Sequence, residues 1–230
     1  MKDYKALLDT DFIFKTHVSH SDDGDVLADR VLEFEGYHFF YHEKIMEELS
    51  SPGFSPDPVP WLKRQTESGK IKSYTDGEII DLLASEYGQK AVSFYVELLE
   101  KSCNAFETGF FQDHYRELRS LPDNVSKNEF LETLEKCDCQ IPNKNSMGEK
   151  KTFVLIQAMQ LIYPGKVVVF CSDDGKARRN IAAISDEVRC LSILSVFYKL
   201  MREGINKETA RPYFDSLCDF YSSNNQTGMK

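Results

Sequence analysis

The amino-acid sequence predicts an α/β fold with a mostly parallel sheet that carries an all-helical insertion. Three observations predict it. Short apolar or aromatic runs alternate with stretches of helical period, the pattern of parallel strands joined by crossover helices. Two of these runs end directly in acids, as LLDTDF and VVVFCSDD. From Gly77 to Asn145 the strand-like runs cease and helical periodicity takes over.

In chain order, Tyr4 to Leu8 (YKALL) is a short buried strand ended by Asp9-Thr10-Asp11, followed by a polar loop with His17 and His20. Asp25 to Glu35 places Val26, Leu27, Val31, Leu32 and Phe34 at helical spacing, with Asp22 and Asp23 available as caps and Gly36 as a stop. Tyr37 to Tyr41 is aromatic and strand-like, and His42 leads into a helix from Glu43 to Leu49 closed by SSPG. After the turn SPDPVP, WLKRQTESG suits a short helix that leaves Trp61 an exposed aromatic, and Ile71 to Tyr74 suits a third strand. The insertion holds four helical stretches, EIIDLLASEYG, AVSFYVELLEKSCNAFE, FQDHYRELRSL and KNEFLETLEKC, broken at Pro122 and Pro142. Beyond it come a helix from Glu149 to Ile162, the clearest buried strand from Val167 to Cys171, and a helix from Lys176 to Ile184. Arg189 to Ser192 reads as a last strand, and Val196 to Glu203 and Ala210 to Tyr221 as helices.

With 230 residues and 41% hydrophobic content, the chain suits a single domain built from residues 1–76 and 146–230, with residues 77–145 inserted. No run reaches the roughly 18 to 20 apolar residues of a membrane span, and the start MKDYKALLDTDF lacks a signal-peptide pattern. Six scattered cysteines in a chain of this size read as thiols of a cytoplasmic protein, without a membrane partner. A formal charge of -9 excludes a broad basic face for long duplexes, and the insertion alone holds 7 Lys and Arg against 13 Asp and Glu, a net -6. A nucleic-acid substrate must therefore be gripped locally. Lys150, Lys151, Lys176, Arg178 and Arg179 are placed for that, beside acids.

Four acidic points stand far apart in sequence: Asp9 with Asp11, Glu48, Glu149, and Asp173 with Asp174. In an open α/β sheet, ligands bind in the crevice beyond the carboxyl ends of the strands, so acids at strand exits are candidates for one shared site. Crowded carboxylates repel one another and favour protonation unless a cation sits between them. Hard cations prefer oxygen ligands, which points to Mg2+ or Mn2+.

In this order, LLDTDF, the EL pair on the second helix, GE opening a later helix, and SDDGKARRNIA after an apolar strand resemble the PIN-domain family of metal-dependent ribonucleases. The tail VRCLSILSVFYKLMREG is similar to one branch of that family, in which toxins of toxin-antitoxin pairs are common. The resemblance covers residues 1–76 and 146–215 and leaves the insertion outside it. It implies a compact three-layer sandwich and an endoribonuclease site. The matching positions are Asp9, Glu48, Glu149 and Asp173, with Asp174 as the adjacent alternative and Glu47 beside Glu48. Asp9 and Asp173 are implied as direct metal ligands, with Asp174 or Glu149 joining them, while Glu48 and Glu149 act through water or position the nucleophile. Asp11, Thr10 and Ser172 are implied as polar groups behind the ligands, and Lys176, Arg178, Arg179 and Lys150 as phosphate contacts. The implied partners are an RNA, structured or single-stranded, and a protein antitoxin or a second copy of the chain.

The chemistry explains the residue types. Hydrolysis of a phosphodiester needs an activated water and stabilisation of extra negative charge in the transition state, and carboxylate-held divalent ions provide both. A haloacid-dehalogenase-like phosphatase would use Asp9 as nucleophile and Asp11 as acid/base. Phe12-Ile13-Phe14 does not suit that loop, and Glu48 and Glu149 would lack a role. A non-catalytic PIN-like binding module is the third reading, disfavoured because all four acid positions are filled. A zinc site at Cys137 and Cys139 would need chance partners such as Cys103 and His114, and His38 and His42 lie in a strand-like run.

Overall fold

The computed structural model describes residues 3–51, 53–122, 124–142, 146–202 and 207–227. Its strands are β1 (Tyr4–Leu8), β2 (Tyr37–His42), β3 (Ile71–Tyr74), β4 (Val167–Cys171) and β5 (Arg189–Leu191). They form one all-parallel sheet in the order β3-β2-β1-β4-β5. Leu7 of the central strand lies opposite both Phe40 and Phe170.

The helices are α1 (Thr10–Val18), α2 (Leu27–Leu32), α3 (Glu43–Leu49), α4 (Val59–Glu67), α5 (Asp76–Tyr87), α6 (Ala91–Phe106), α7 (Phe110–His114), α8 (Lys127–Gln140), α9 (Met147–Ile162), α10 (Gly175–Ile184), α11 (Ile193–Arg202) and α12 (Lys207–Thr227). Side chains of a strand alternate between faces, and each face of the sheet has its own core. Leu7, Val168 and Phe170 join the core built by α5, α6, α8, α9 and α10. Ala6, Leu8, Val169 and Cys171 join the one built by α1 to α4, α11 and α12. A sheet covered on both sides explains why YKALL and VVVFC are continuous apolar runs rather than alternating ones. The architecture is the expected α/β sandwich of three layers.

Among the described residues of 77–145 the regular elements are all helices, and they are part of a layer rather than an appendage. Ile79, Leu83, Tyr95 and Leu99 share one core with Phe153 of α9 and Phe170 of β4. A buried polar network adds to this seam. The Nζ of Lys151, fully buried on α9, donates to Asp76 Oδ2 at 2.9 Å and lies 3.4 Å from Asp138 Oδ2. Tyr95 donates to Asp76, and Tyr115 donates to Asp138 at 2.6 Å. His42 Nδ1 accepts from the Lys44 amide at 3.2 Å, which leaves Nε2 as the donor to Asp76 Oδ1, also at 3.2 Å. Lys151 is therefore tied inside the fold and is not a phosphate contact.

Several elements differ from expectation. The segment after Asp9 is not a polar loop: Phe12, Ile13 and Thr16 are buried one turn apart on α1, which carries Asp11, Lys15 and His17. The α2 helix is shorter than expected, and Val26 stands at its start without a side-chain cap, so Asp22 and Asp23 do not cap it. FQDHYRELRSL divides at Tyr115 into α7 and a 3-10 turn over Arg116–Ser120. Trp61 is buried, and its indole N–H donates to Asp29 at 2.9 Å, so it offers no exposed aromatic surface. Pro52 of the SSPG stop and Gly204 at the end of the tail motif lie outside the described residues. Among the described residues, no helix is long and apolar enough to cross a membrane.

Candidate active site

The strand order places the site. From β1 the chain builds outward through β2 to β3, then returns to the other side of β1 with β4 and β5. The switch point lies between β1 and β4, where adjacent strand exits diverge and leave a crevice. Asp9 ends β1, and Ser172, Asp173 and Asp174 follow β4. A cavity of about 420 Å³ opens there, lined by Asp9, Thr10, Asp11, Glu48, Glu149, Asp174 and Lys176, with Phe54, Phe106, Ser146 and Ala177. Its volume suits a small-ligand cleft, typically about 300 to 1,000 Å³. A larger cavity of about 840 Å³ lies on the insertion, but there Asp81 and Lys127 are already paired at 2.6 Å.

Three helix amino ends meet at this cleft. Asp9 caps α1, its Oδ1 accepting from the Thr10 amide at 2.9 Å. Asp174 caps α10, its Oδ1 accepting from the amides of Lys176 and, at 2.9 Å, Ala177. Glu48 reaches from α3 to α9, where Oε1 accepts from the Gly148 amide at 2.8 Å and Oε2 accepts from the Thr10 hydroxyl at 2.6 Å. Helix amino ends carry partial positive charge and so favour carboxylates. Ser172 joins two of the acids: its hydroxyl donates to Asp9 Oδ2 at 2.7 Å and accepts from the Asp174 amide at 3.1 Å.

The glycine of the GE pair now has a physical reason. A Cβ at Gly148 would stand 2.6 Å from Glu48 Oε2 and 2.8 Å from Ile45 Cδ1, so any larger residue displaces the carboxylate. Ser146, just before α9, has a left-handed backbone with φ 64°, uncommon for a residue with a side chain.

These dipoles do not offset the crowding of like charges. Burial, followed by the charges of Glu149, Asp11 and Glu48, pushes the Asp9 carboxyl well above the usual carboxylate range. Burial and the charges of Glu48 and Asp174 push Glu149 up to about 7. Burial raises Glu48 as well, against the pull of its Thr10 and Gly148 hydrogen bonds. Among the described residues lining the cleft, Lys176 is the one cation.

Asp9, Glu48, Glu149 and Asp174 share the cleft, together with Thr10, Asp11 and Lys176. Glu47 points to solvent, where Lys44 pairs with it at 2.7 Å, so the neighbouring Glu48 is the cleft residue. Asp173 is turned aside: Lys15 donates to its Oδ2 at 2.8 Å and also holds Asp11 at 2.9 Å. Asp174 replaces it in the cleft. Lys150 is buried, with Nζ 4.2 Å from the centre of the Phe110 ring and 5.4 Å from that of Phe106, and burial lowers its pKa. Arg178 turns its Nε back to the Asp174 carbonyl at 3.4 Å, and Arg179 is exposed near Gly175. Neither arginine lines the cleft.

The sequence offers no strong signal for Lys15, Phe54 or Ser146 in this region, and its spacing puts Phe106 with Tyr95, Phe110, Phe111 and Tyr115 in the core of the insertion, with base stacking as the lesser alternative. Lys15 carries one signal, its i,i+4 spacing from Asp11, which has meaning only when the segment is a helix. Among the described residues, no three His, Cys, Asp or Glu side chains form a ready-made metal-binding group. His42 is engaged with Asp76, His38 is exposed and near Asp3, and Cys139 is exposed, so the zinc alternatives find no common site. Comparison with protein-family models, with curated proteins and with solved structures finds no match to this chain.

Proposed function

We propose that the chain is a PIN-like, Mg2+- or Mn2+-dependent endoribonuclease of the cytoplasm. One observation carries this reading: Asp9, Glu48, Glu149 and Asp174, from four separate segments, line one cleft at the switch point of the sheet. An oxygen-only set of acids, in which burial and neighbouring charge raise the pKa of Asp9 and Glu149, suits a hard divalent cation. Asp9, Glu149 and Asp174 are the residues that would hold it, with Glu48 acting through water. Such an ion, when bound, neutralises the carboxylates and lowers the pKa of a coordinated water.

The chain's own groups have separate tasks in this scheme. Ser172 and the Thr10 amide fix the orientation of Asp9. Thr10 and Gly148 hold Glu48. Glu149, which burial and neighbouring carboxylates push up to about 7 in the cation-free cleft, is the carboxylate that a bound cation would most relieve, and its proton would leave as the ion binds. Lys176 is the positive charge at hand for a substrate phosphate. A phosphatase built on Asp9 and Asp11 is less well supported, because the Asp11 carboxylate is held by Lys15.

The test is cleavage of single-stranded RNA by wild type and Asp9→Asn with Mg2+, Mn2+ or chelator, alongside a generic phosphomonoester. Metal-dependent RNA cleavage that falls at least a hundredfold in Asp9→Asn is expected, with Mn2+ affinity, read by calorimetry, falling in parallel. Turnover of the phosphomonoester, lost in Asp11→Asn, would favour the phosphatase. RNA binding without any cleavage would favour a binding module.

A further inference from the structure

Two aromatic rings stand among the carboxylates of the cleft, and the carboxylate chemistry does not use them. Phe54 comes from the segment between α3 and α4, and Phe106 is the last residue of α6 in the insertion. Both are half-buried rather than packed away. Each is braced from behind. Phe14 meets Phe54 edge-on at 5.0 Å, and Phe14 in turn packs on Phe220 at 5.6 Å. Phe106 leans on Phe153 at 4.8 Å, and the Lys150 ammonium lies over its ring.

A braced, partly open ring beside an acidic cleft presents a fixed apolar face to whatever enters it. Water would be better faced by a polar side chain, and a phosphate gains nothing from a phenyl ring. A nucleobase does gain: every base has a π face, and stacking on Phe is a sequence-tolerant way to hold an unpaired strand. Bases in a duplex are already stacked and paired, and the chain's net charge of -9 leaves no broad basic face to hold one.

We infer that Phe54 and Phe106 are the base-stacking walls of the cleft, so that the substrate enters as a single strand with its bases on these rings and its phosphate toward the carboxylates. This rests on the nuclease reading and assigns its substrate class. It also gives the insertion a direct part in recognition through Phe106, with Lys150 as the residue that positions the ring. Loss of one wall removes one stacked base, which corresponds to roughly a fivefold to hundredfold weaker hold on the strand.

The experiment uses the full chain and short RNAs carrying 2-aminopurine, whose fluorescence is quenched on stacking, as single strands and as duplexes, mixed by stopped flow in Mg2+ and read before cleavage. The wild type is expected to quench and bind the single strand and to bind the duplex at least tenfold more weakly. Phe54→Leu and Phe106→Leu keep apolar volume without a π face and are expected to lose quenching and affinity, while Phe106→Trp retains both. Far-ultraviolet circular dichroism and thermal melts identify any variant that has lost its fold, and Phe54→Leu, in a segment outside the helices, then carries the test alone. Unchanged quenching in both leucine variants, or equal binding of duplex and single strand, overturns the inference even if the wild type cuts RNA. A wild type that neither cuts nor binds RNA overturns the nuclease reading and this inference together, so the two failures are told apart.

Discussion

Two groups of buried acids meet helix α9 and behave in opposite ways. Glu149 faces the cleft, where burial and neighbouring carboxylates push its pKa up to about 7. Two residues later, Lys151 enters the seam with the insertion. There burial alone would raise Asp76, but Lys151 and then His42 hold it well below the usual range. Both groups are desolvated; they differ in whether a cation is built in. The seam is closed by its own lysine and serves the fold. The cleft leaves its carboxylates short of positive charge, an expense that a stability-only arrangement would remove and that a cation-binding one would use.

The sharpest way to break this contrast is Lys151→Met. It leaves Asp76 and Asp138 buried without their cation, and denaturant unfolding should show a loss of about 3 to 5 kcal/mol. Next is Gly148→Ala, which drives a methyl group into Glu48 and Ile45. Overpacking of this kind costs about 1 to 3 kcal/mol, and metal-dependent cleavage should fall more than tenfold because Glu48 leaves its anchor. A stability rise from Gly148→Ala would show that the contact is not tight.

The pH dependence separates the two groups by sign. Glu149 has its folded pKa raised from 4.5 to about 7, so its contribution to stability is fully present below about 4.5 and is lost as pH rises through about 7. Asp76 is shifted the other way: its contribution is present above its ordinary value of 3.8 and is lost only as pH falls through its depressed folded value. Thermal melts of cation-free protein should therefore lose stability as pH rises from about 4.5 to about 7, with Asp9 and Glu48 acting in the same direction, a slope that Glu149→Gln reduces and added Mg2+ flattens. A slope of the same size in Glu149→Gln would assign it to another group. The smallest effect is expected at the exposed pair of Lys127 and Asp81. Lys127→Ala should change stability by less than about 1 kcal/mol, which sets the scale for a surface ion pair against the seam.

Much of this was legible in the chain. YKALL and VVVFC announced themselves because a strand covered on both faces needs an unbroken apolar run, and Asp9 and Asp174 follow from where those runs end. The insertion's helices were readable from their 3.6-residue period. The α1 helix was missed because FIFKTHV mixes aromatic, β-branched and polar residues, and its start is marked only by Asp9, which looked like a strand end.

By itself, then, the sequence determined the α/β class, the parallel strands, the helical character of residues 77–145 and the short stretches from which the cleft acids come. Tertiary structure alone decided which neighbour lines the cleft: Glu48 and not Glu47, Asp174 and not Asp173, and Lys176 while Lys151 is sealed in the seam. The reason is geometric. Consecutive helical residues such as Glu47 and Glu48 point about 100° apart, Asp173 and Asp174 diverge in the connection between β4 and α10, and the direction each side chain takes is set by partners distant in sequence, Gly148 for Glu48, Lys15 for Asp173 and Asp76 for Lys151.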